Sequence, residues 1–461
     1  MNGSDKPNEM KSFGNACMII LCLVFLSCSS GKRMVRKAGN DLLGDAVLKE
    51  AHTGISVFDP GSRRFLYDHQ GGKYFVPASN TKIITCYAAM KYLGEKLEGI
   101  RWADMDTAIF LFPTGDPTLL HPDYMDQPVI DFLAKAGKPL YLSNDAWKTQ
   151  PLGRGWSWDD YSEDYMAERS SLPVYGNVIR WVQSTAVREN PAHPGDTLDA
   201  FIYSEPEVQW PVDFTAPDPK GRFRVKRDRD ANRFLITEGR EKRVQQDVPF
   251  VTDGAASALA LLADTLHREI RPYDNGKDIE KLAGQRISAV YSRPTDSMLR
   301  PMMHRSDNFF AEQALLMAGK SMTGRFREQE AIDSILATGL AGMPQVPRWV
   351  DGSGLSRYNL FSPKDFVWVL DRMRTEFGIE RVRGIFPSPG SGTLRSYPAV
   401  LTGRVFAKTG TLSGVVALSG YLHTRQDRWL IFSILVNNHN RSAQEVRSLM
   451  GEFLRALSEA Y

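Results

Sequence analysis

The chain has 461 residues, of which 42% are hydrophobic and 24% are charged, and its formal net charge is +3. This length allows two or three domains with a large core, and the composition is that of an ordinary globular protein. The net charge is too small to indicate a nucleic-acid partner.

The first residues have the features of an export signal. Met18–Leu26 form an apolar core that is too short to cross a bilayer, which needs about 20 residues. Residues 1–28 are therefore predicted to be a signal peptide. Phe25-Leu26-Ser27-Cys28 resembles a bacterial lipoprotein cleavage site, which would make Cys28 the lipidated first residue of the mature chain. The alternative is cleavage at a nearby small residue and a soluble exported product.

A tether, a hairpin and a helix are predicted next. Residues 29–40 are interpreted as a basic, glycine-containing tether. Gly54–Phe58 and Arg64–Tyr67 flank a turn that contains proline and glycine, and we expect them to pair as two strands. The apolar run that follows should be helical from near Ser79, because no helix breaker occurs before Gly94.

Ser79 and Lys82 are three residues apart at the predicted start of this helix. Side chains at this spacing share one helix face, so the Lys82 amine can reach the Ser79 hydroxyl. The pair is a nucleophile beside its base, provided that the pKa of the lysine falls by roughly three units from about 10.4. Burial, the positive end of the helix and a second cation nearby would each lower this pKa. Cys86, on the same helix, is expected to be a small core residue.

The middle of the chain has a different character. Residues 99–249 are rich in tryptophan, proline, aspartate and short strand-like runs, and we interpret them as one or two inserted domains, mostly β. An apolar helix returns at Ala255. Residues 41–98 and 250–461 are therefore assigned to one catalytic domain.

The end of the chain predicts a sheet and a closing helix. Arg404–Lys408, Val415–His423 and Arg428–Asn437 are expected to be three successive antiparallel strands. Ser442 and Glu445 form the capping box of the helix that follows. The predicted fold class is α+β, an antiparallel sheet flanked by helices with a large insertion.

Two further motifs lie downstream of Ser79 and Lys82. Ser306-Asp307-Asn308 is expected at the start of a helix, and Lys408-Thr409-Gly410 on a strand. Each motif is weak evidence by itself, because short patterns recur by chance. Together and in this order they are the set found in penicillin-binding proteins and serine β-lactamases.

These motifs supply the groups that acyl transfer needs. We expect Ser79 to attack a carbonyl carbon and Lys82 to take its proton. The backbone NH groups of Ser79 and Thr411 would form the oxyanion hole. Ser306 can relay the proton to the leaving amine, and Asn308 can bond both Lys82 and a substrate amide.

The third motif is suited to holding the substrate. Lys408 offers a cation and Thr409 a hydroxyl for an anionic end of the substrate, and Gly410 leaves room for substrate to lie along the strand. Lys408 is also the second cation expected to lower the pKa of Lys82. Asp307 is expected to cap its own helix. The histidines show no zinc-binding pattern, so we expect no metal and no other cofactor.

The chain resembles the D-alanyl-D-alanine carboxypeptidase/endopeptidases of the penicillin-binding protein 4 type, peptidase family S13. Besides the three motifs, the resemblance rests on the long insertion and on Gly115–Thr118, Gly155–Asp160 and Asp351–Arg357. It implies cleavage of the terminal D-Ala-D-Ala bond of peptidoglycan stem peptides, or of D-alanyl cross-links, through an acyl-enzyme on Ser79. The catalytic set that it implies is Ser79, Lys82, Ser306, Asn308 and Lys408, with Thr409, Gly410 and Thr411 binding substrate.

The resemblance has two departures, which concern substrate preference more than mechanism. Ser391 stands where the family often carries an aspartate, and Ser171–Asn177 matches the family's segment only loosely. The expected partners are peptidoglycan stem peptides, β-lactams as inhibitors and, through Cys28, a membrane; no nucleic acid is expected. The expected location is the periplasm or cell envelope.

Two other functions are alternatives. A β-lactamase or esterase on the same fold would need a base for fast deacylation, and no motif supplies one. A non-catalytic wall-binding or β-lactam-sensing lipoprotein would keep its function after loss of Ser79. The sequence leaves open whether carboxypeptidase or endopeptidase activity dominates.

Overall fold

The computed structural model describes residues 31, 33–187, 198–216, 218, 220–275 and 279–461. The predicted signal peptide and Cys28 lie outside these residues. The chain divides into two compact units. Of the described residues, the first unit takes those up to Val76, Phe361–Arg372 and Pro387–Tyr461, and the second takes those within Pro77–Leu360 and Met373–Phe386.

The helices and strands have the following bounds. The α-helices are α1 (33–44), α2 Thr81–Tyr92, α3 Pro128–Lys135, α4 Ala256–Leu266, α5 Ile279–Ala283, α6 Thr295–His304, α7 Asn308–Thr323, α8 Glu328–Ala337, α9 Pro363–Phe377, α10 Ile379–Ile385 and α11 Ala443–Ala460. The strands are β1 His52–Asp59, β2 Arg64–His69, β3 Lys96–Met105, β4 Ala108–Pro113, β5 Leu140–Ser143, β6 Val178–Val187, β7 Leu198–Glu205, β8 Val212–Thr215, β9 Arg224–Arg227, β10 Phe234–Thr237, β11 Arg243–Pro249, β12 Ile270–Tyr273, β13 Ser288–Pro294, β14 Val405–Leu412, β15 Val415–His423 and β16 Trp429–Asn437.

The first unit is built on one five-stranded antiparallel sheet with the strand order β14-β15-β16-β1-β2. The predicted hairpin and the three predicted C-terminal strands are therefore confirmed. The capping box of α11 is also confirmed, since the Ser442 hydroxyl accepts from the Glu445 NH and the Glu445 carboxylate accepts from the Ser442 NH. Apolar residues of α11, such as Leu454 and Leu457, share one core with strand residues such as Ile434.

The expected tether is wrong for the part of it that the structure describes. Residues 33–40 belong to α1, and Val35 and Leu42 of this helix are buried in the core of the first unit. These apolar residues recur at helical spacing between exposed basic ones. The basic character, which suggested a linker, is only the solvent face of an amphipathic helix.

Three sheets are present in the described residues of the second unit. A five-stranded sheet has the order β12-β5-β4-β3-β13, and two three-stranded sheets have the orders β11-β6-β7 and β8-β10-β9. One apolar cluster runs through them and includes Leu111, Phe234, Phe250 and Leu262. Helix α2 is buried from Thr81 to Met90, and it packs against α6 and α7.

The compact units do not coincide with the predicted domains. Strands β12 and β13 come after residue 249, yet they complete the sheet of β3, β4 and β5. Helix α2 also belongs to this second unit. A change of composition near residue 99 was therefore a poor guide to where one packed core ends. In the described part of the chain, none of the helices combines the length and apolarity that a membrane span requires.

Candidate active site

Ser79 lies in a tight turn directly before α2. Residues Ala78–Asn80 form one turn of 3-10 helix, and the α-helix begins at Thr81. The predicted helix start near Ser79 is thus two residues early. Ala78 has a left-handed backbone with φ of 48°, and its carbonyl oxygen accepts from the Thr81 hydroxyl at 2.9 Å. Backbone strain of this kind is concentrated at functional sites.

Lys82 is fully buried and its amine is held by three oxygen atoms. Nζ lies 3.0 Å from Ser79 Oγ, 2.6 Å from Asn308 Oδ1 and 2.7 Å from the Ser353 carbonyl oxygen. The predicted contact between the serine and the lysine, and the predicted contact of Asn308 with Lys82, are both present. Because Asn308 and Ser353 hold two positions of the amine, its lone pair or third proton is directed toward Ser79 Oγ.

The arrangement serves both protonation states of Lys82. The ammonium can donate one hydrogen to each of the three oxygens, since it has three donors. The neutral amine can donate to Asn308 Oδ1 and the Ser353 carbonyl, which leaves its lone pair to accept the Ser79 hydroxyl proton. The geometry is that of a serine with a general base at hydrogen-bond distance.

The electrostatic surroundings favour the neutral amine. Burial lowers the pKa of Lys82 to about 8, although the carboxylates of Asp351, Glu312 and Asp307 oppose the shift. Desolvation is the largest cause and acts against the ammonium form. The neutral fraction of Lys82 is therefore larger than that of an exposed lysine at the same pH.

The second motif stands at the start of α7. Ser306 has a left-handed backbone with φ of 64°. Asp307 is the N-cap, and its carboxylate accepts from the Phe310 NH at 3.0 Å, so its predicted capping role is confirmed. The Asn308 side-chain NH donates to the Tyr165 carbonyl oxygen at 2.9 Å, which turns Oδ1 of Asn308 toward Lys82.

Residues Asp351–Arg357 form a loop beside the nucleophile turn. Asp351 is fully buried and accepts from the Gly354 NH, the Ser356 NH and the Asn359 side chain. These bonds fix the loop so that the Ser353 carbonyl faces Lys82. The sequence marked this tract only as part of a family resemblance and missed the contact of Ser353 with Lys82. Its two glycines were the available signal, since glycine often marks a close approach of backbone.

A cleft of about 770 Å³ opens beside the second motif. Ser306, Asn308, Tyr165, Tyr175 and Glu205 are among the residues that line it. Both Tyr175 and Ser306 have left-handed backbones. The cleft is large enough for a peptide and reaches the residues expected to handle the leaving amine.

The third motif lies in the first unit, on strand β14 at one edge of the sheet. Lys408 is buried, and its Nζ donates to the Thr409 carbonyl at 2.7 Å. Gly410 pairs with Ala417 of β15. The Thr411 hydroxyl accepts from Arg447 at 2.7 Å. The predicted strand is confirmed, and its edge position is the one that strand addition requires.

Two further predictions concerned Cys86 and metal binding. Cys86 is buried in α2, as predicted for a core residue, and burial raises the pKa of its thiol. Among the residues that the structure describes, no group of three or more histidine, cysteine, aspartate or glutamate side chains is placed to hold a metal ion.

Comparison with known proteins decides the family. The model of the D-Ala-D-Ala carboxypeptidase 3 (S13) family matches residues 36–457. The chain belongs to this family. It is therefore an enzyme of the D-Ala-D-Ala carboxypeptidase class, a group of serine peptidases, and the resemblance stated above is confirmed.

Individual relatives cover most of this S13 chain. A D-alanyl-D-alanine carboxypeptidase from Actinomadura sp. (strain R39) is 27% identical over 466 residues, covering 91% of this chain and 84% of the relative. The D-alanyl-D-alanine carboxypeptidase DacB of Haemophilus influenzae is 23% identical over 445 residues, covering 86% of this chain and 88% of the relative. The crystal structure of penicillin-binding protein 4 from Haemophilus influenzae superposes with a TM-score of 0.70 at 21% identity, covering 91% and 98% of the two chains. The α+β fold predicted for the chain is thereby confirmed.

Proposed function

We propose that this S13 enzyme cleaves the terminal D-Ala-D-Ala bond of peptidoglycan stem peptides, or D-alanyl cross-links between them, through an acyl-enzyme on Ser79. The observation that carries the proposal is the buried Lys82 amine at 3.0 Å from the Ser79 hydroxyl. β-Lactams would acylate the same serine. The Haemophilus influenzae penicillin-binding protein 4 has been solved as a complex with a β-lactam, which supports this part of the proposal.

The first half of the reaction transfers the acyl group. Neutral Lys82 takes the hydroxyl proton while Ser79 Oγ attacks the carbonyl carbon of the penultimate D-alanine. The tetrahedral intermediate carries its negative charge on the former carbonyl oxygen, and we assign its stabilisation to the NH groups of Ser79 and Thr411. Breakdown requires a proton on the leaving amine, and Ser306 is assigned to relay it.

The second half is hydrolysis of the ester on Ser79. Water attacks the acyl carbon and loses a proton to Lys82, and Ser79 regains its hydroxyl as the acid product leaves. Asn308 is assigned to the amide of the acyl part. Lys408 and Thr409 are assigned to the terminal carboxylate, and Gly410 to the approach of substrate along β14.

The cleft beside Ser306 and Asn308 supports a peptide substrate. D-Alanine is a small leaving group, whereas a space of about 770 Å³ accepts several residues of a stem peptide. The cleft therefore has room for a substrate larger than a free dipeptide, and its volume does not distinguish carboxypeptidase from endopeptidase action.

The decisive experiment is intact mass spectrometry of the purified domain. The wild type and Ser79→Ala are each incubated with a penicillin and, separately, with a peptide ending in D-Ala-D-Ala. A penicilloyl adduct on the wild type alone, with release of D-alanine, is the expected result. Absence of both adduct and release would refute the enzyme mechanism and favour a wall-binding protein. Rapid turnover of the penicillin would favour a β-lactamase.

We also propose export and lipid anchoring at Cys28. The proposal rests on the apolar core Met18–Leu26 and the motif that ends at Cys28. The expected location is the periplasm or cell envelope. Expression of the full chain and of Cys28→Ser with a labelled fatty acid tests it. Label on the wild type alone supports the anchor, and equal labelling or none refutes it.

A further inference from the structure

We propose that Glu312 is a positioning residue for the Lys82 base: it holds the backbone NH of Ser353, the residue whose carbonyl accepts from the Lys82 amine, and its carboxylate is one of the charges that act on that amine. Nothing in the three sequence motifs points to Glu312, which lies four residues after Asn308 on α7. The inference rests on the proposed function, in which Lys82 is the base.

The contact with the loop is direct. Glu312 Oε1 accepts from the Ser353 NH at 2.7 Å, and the carbonyl of the same residue accepts from Lys82 Nζ at 2.7 Å. Glu312 and Ser353 are both buried. The Ser353 NH and the Ser353 carbonyl belong to consecutive peptide groups, so a carboxylate bound to this NH restrains the residue whose carbonyl contacts Lys82. Hydrogen bonds to an ionised, buried acceptor are among the stronger ones.

Glu312 also lies in a buried group of charges. Arg169 is 1% exposed, and its guanidinium lies 3.3 Å from Glu312 Oε2 and 3.1 Å from Glu328. The same guanidinium donates to the Gln150 and Leu152 carbonyl oxygens. Arg169 therefore keeps several partners when one carboxylate is neutralised. Burial and the neighbouring Asp351 raise the pKa of Glu312 to about 7.

The charge of Glu312 has a predictable effect on Lys82. Asp351, Glu312 and Asp307 are the carboxylates that raise the pKa of Lys82 against burial. Neutralising one of them removes part of the stabilisation of the ammonium. The pKa of Lys82 should fall further, and the neutral base should then be present at lower pH.

The hydrogen bond and the charge can be tested separately. Glu312→Gln keeps an acceptor for the Ser353 NH and loses the charge. Glu312→Asp keeps the charge and withdraws the carboxylate from Ser353 by one methylene. Glu328→Gln is the control, because Glu328 is a half-buried carboxylate on the same arginine but lies on α8.

The measurement is the second-order rate of penicillin acylation between pH 6 and pH 10, with circular dichroism to verify folding. The acid limb is the part of the pH profile in which the acylation rate falls as pH falls. For Glu312→Gln, this acid limb should move to lower pH by roughly half a unit or more. For Glu312→Asp, the limb should stay near that of the wild type while the plateau falls about tenfold. For Glu328→Gln, both the pH at which acylation begins to fall and the plateau rate should stay close to those of the wild type.

Two results would overturn the inference. The first is a folded Glu312→Gln variant with the acid limb of the wild type. The second is a Glu312→Asp variant whose plateau rate of acylation equals that of the wild type. This second result overturns the inference even when Glu312→Gln does not fold. Failure of the wild type to acylate at any pH would refute the proposed function as well, whereas wild-type acylation with an unmoved limb refutes this inference alone.

Discussion

Gly354 lies against the carbonyl oxygen of Ala78, so closely that a Cβ atom on Gly354 would overlap that oxygen. Gly354 also has a left-handed backbone with φ of +84°. Two features thus require glycine where the loop of Ser353 meets the turn of Ser79. Gly354 follows Ser353, whose carbonyl contacts Lys82, and Ala78 precedes Ser79, so the contact lies directly between the two segments that position these residues.

The first prediction concerns this contact. Gly354→Ala should lower the free energy of unfolding by more than the roughly 1–2 kcal/mol that a left-handed backbone costs by itself, because the new methyl group displaces the Ala78 turn. Penicillin acylation should slow in the same variant. Gly324→Ala is the control, since Gly324 has φ of +78° and open space around it. Equal losses of stability in the two variants, measured by denaturant unfolding, would contradict the prediction.

The second prediction is the pH dependence of the wild type. Lys82 acts as a base only when neutral, and the neutral fraction rises as pH rises through its pKa of about 8. The acylation rate should therefore increase about tenfold per pH unit below this value and level off above it. Stopped-flow acylation by a chromogenic cephalosporin measures the profile. A flat profile from pH 6 to pH 9 would show that neutral Lys82 is not the base.

The third prediction uses Asn308. Asn308→Asp places a carboxylate where Oδ1 lies 2.6 Å from Lys82 Nζ. A negative charge at this distance stabilises the ammonium, so the acid limb of acylation should move to higher pH by about one unit or more. Asn308→Ala removes the same acceptor without adding charge. It should slow acylation without raising the limb, and a limb raised equally in both variants would exclude the electrostatic explanation.

The fourth prediction separates stability from chemistry at Asp307. Its carboxylate caps α7 through the Phe310 NH. Asp307→Ala should reduce the free energy of unfolding by about 1 kcal/mol, which is typical for loss of an N-cap. Asp307→Asn retains a capping oxygen and should recover most of this loss. Thermal or denaturant unfolding measures both, and equal stability of the alanine variant and the wild type would show that the cap is dispensable.

Much of the local structure could be predicted from residue patterns. The hairpin of β1 and β2, the strands β14 to β16 and the capping box of α11 follow from alternation and turn or cap residues that act within a few positions. The prediction of a tether was wrong for the described residues because their exposed basic side chains were more conspicuous than the buried apolar pair, Val35 and Leu42. The predicted domain boundaries differ from the compact units because a sheet can include strands, such as β12 and β13, that lie far along the chain from its other strands.

By itself, the sequence determined the pairing of Ser79 with Lys82, because residues three apart at the start of a helix necessarily share a face. Its three motifs in a fixed order also indicated the penicillin-binding proteins and serine β-lactamases, and comparison with known proteins then decided the family. Only the tertiary structure decided which groups surround the Lys82 amine. Asn308 and Ser353 are separated from Lys82 by 226 and 271 residues, and Glu312 accepts from the Ser353 NH. Such contacts depend on how α2, α7 and the Asp351 loop pack together, and no local pattern encodes that packing.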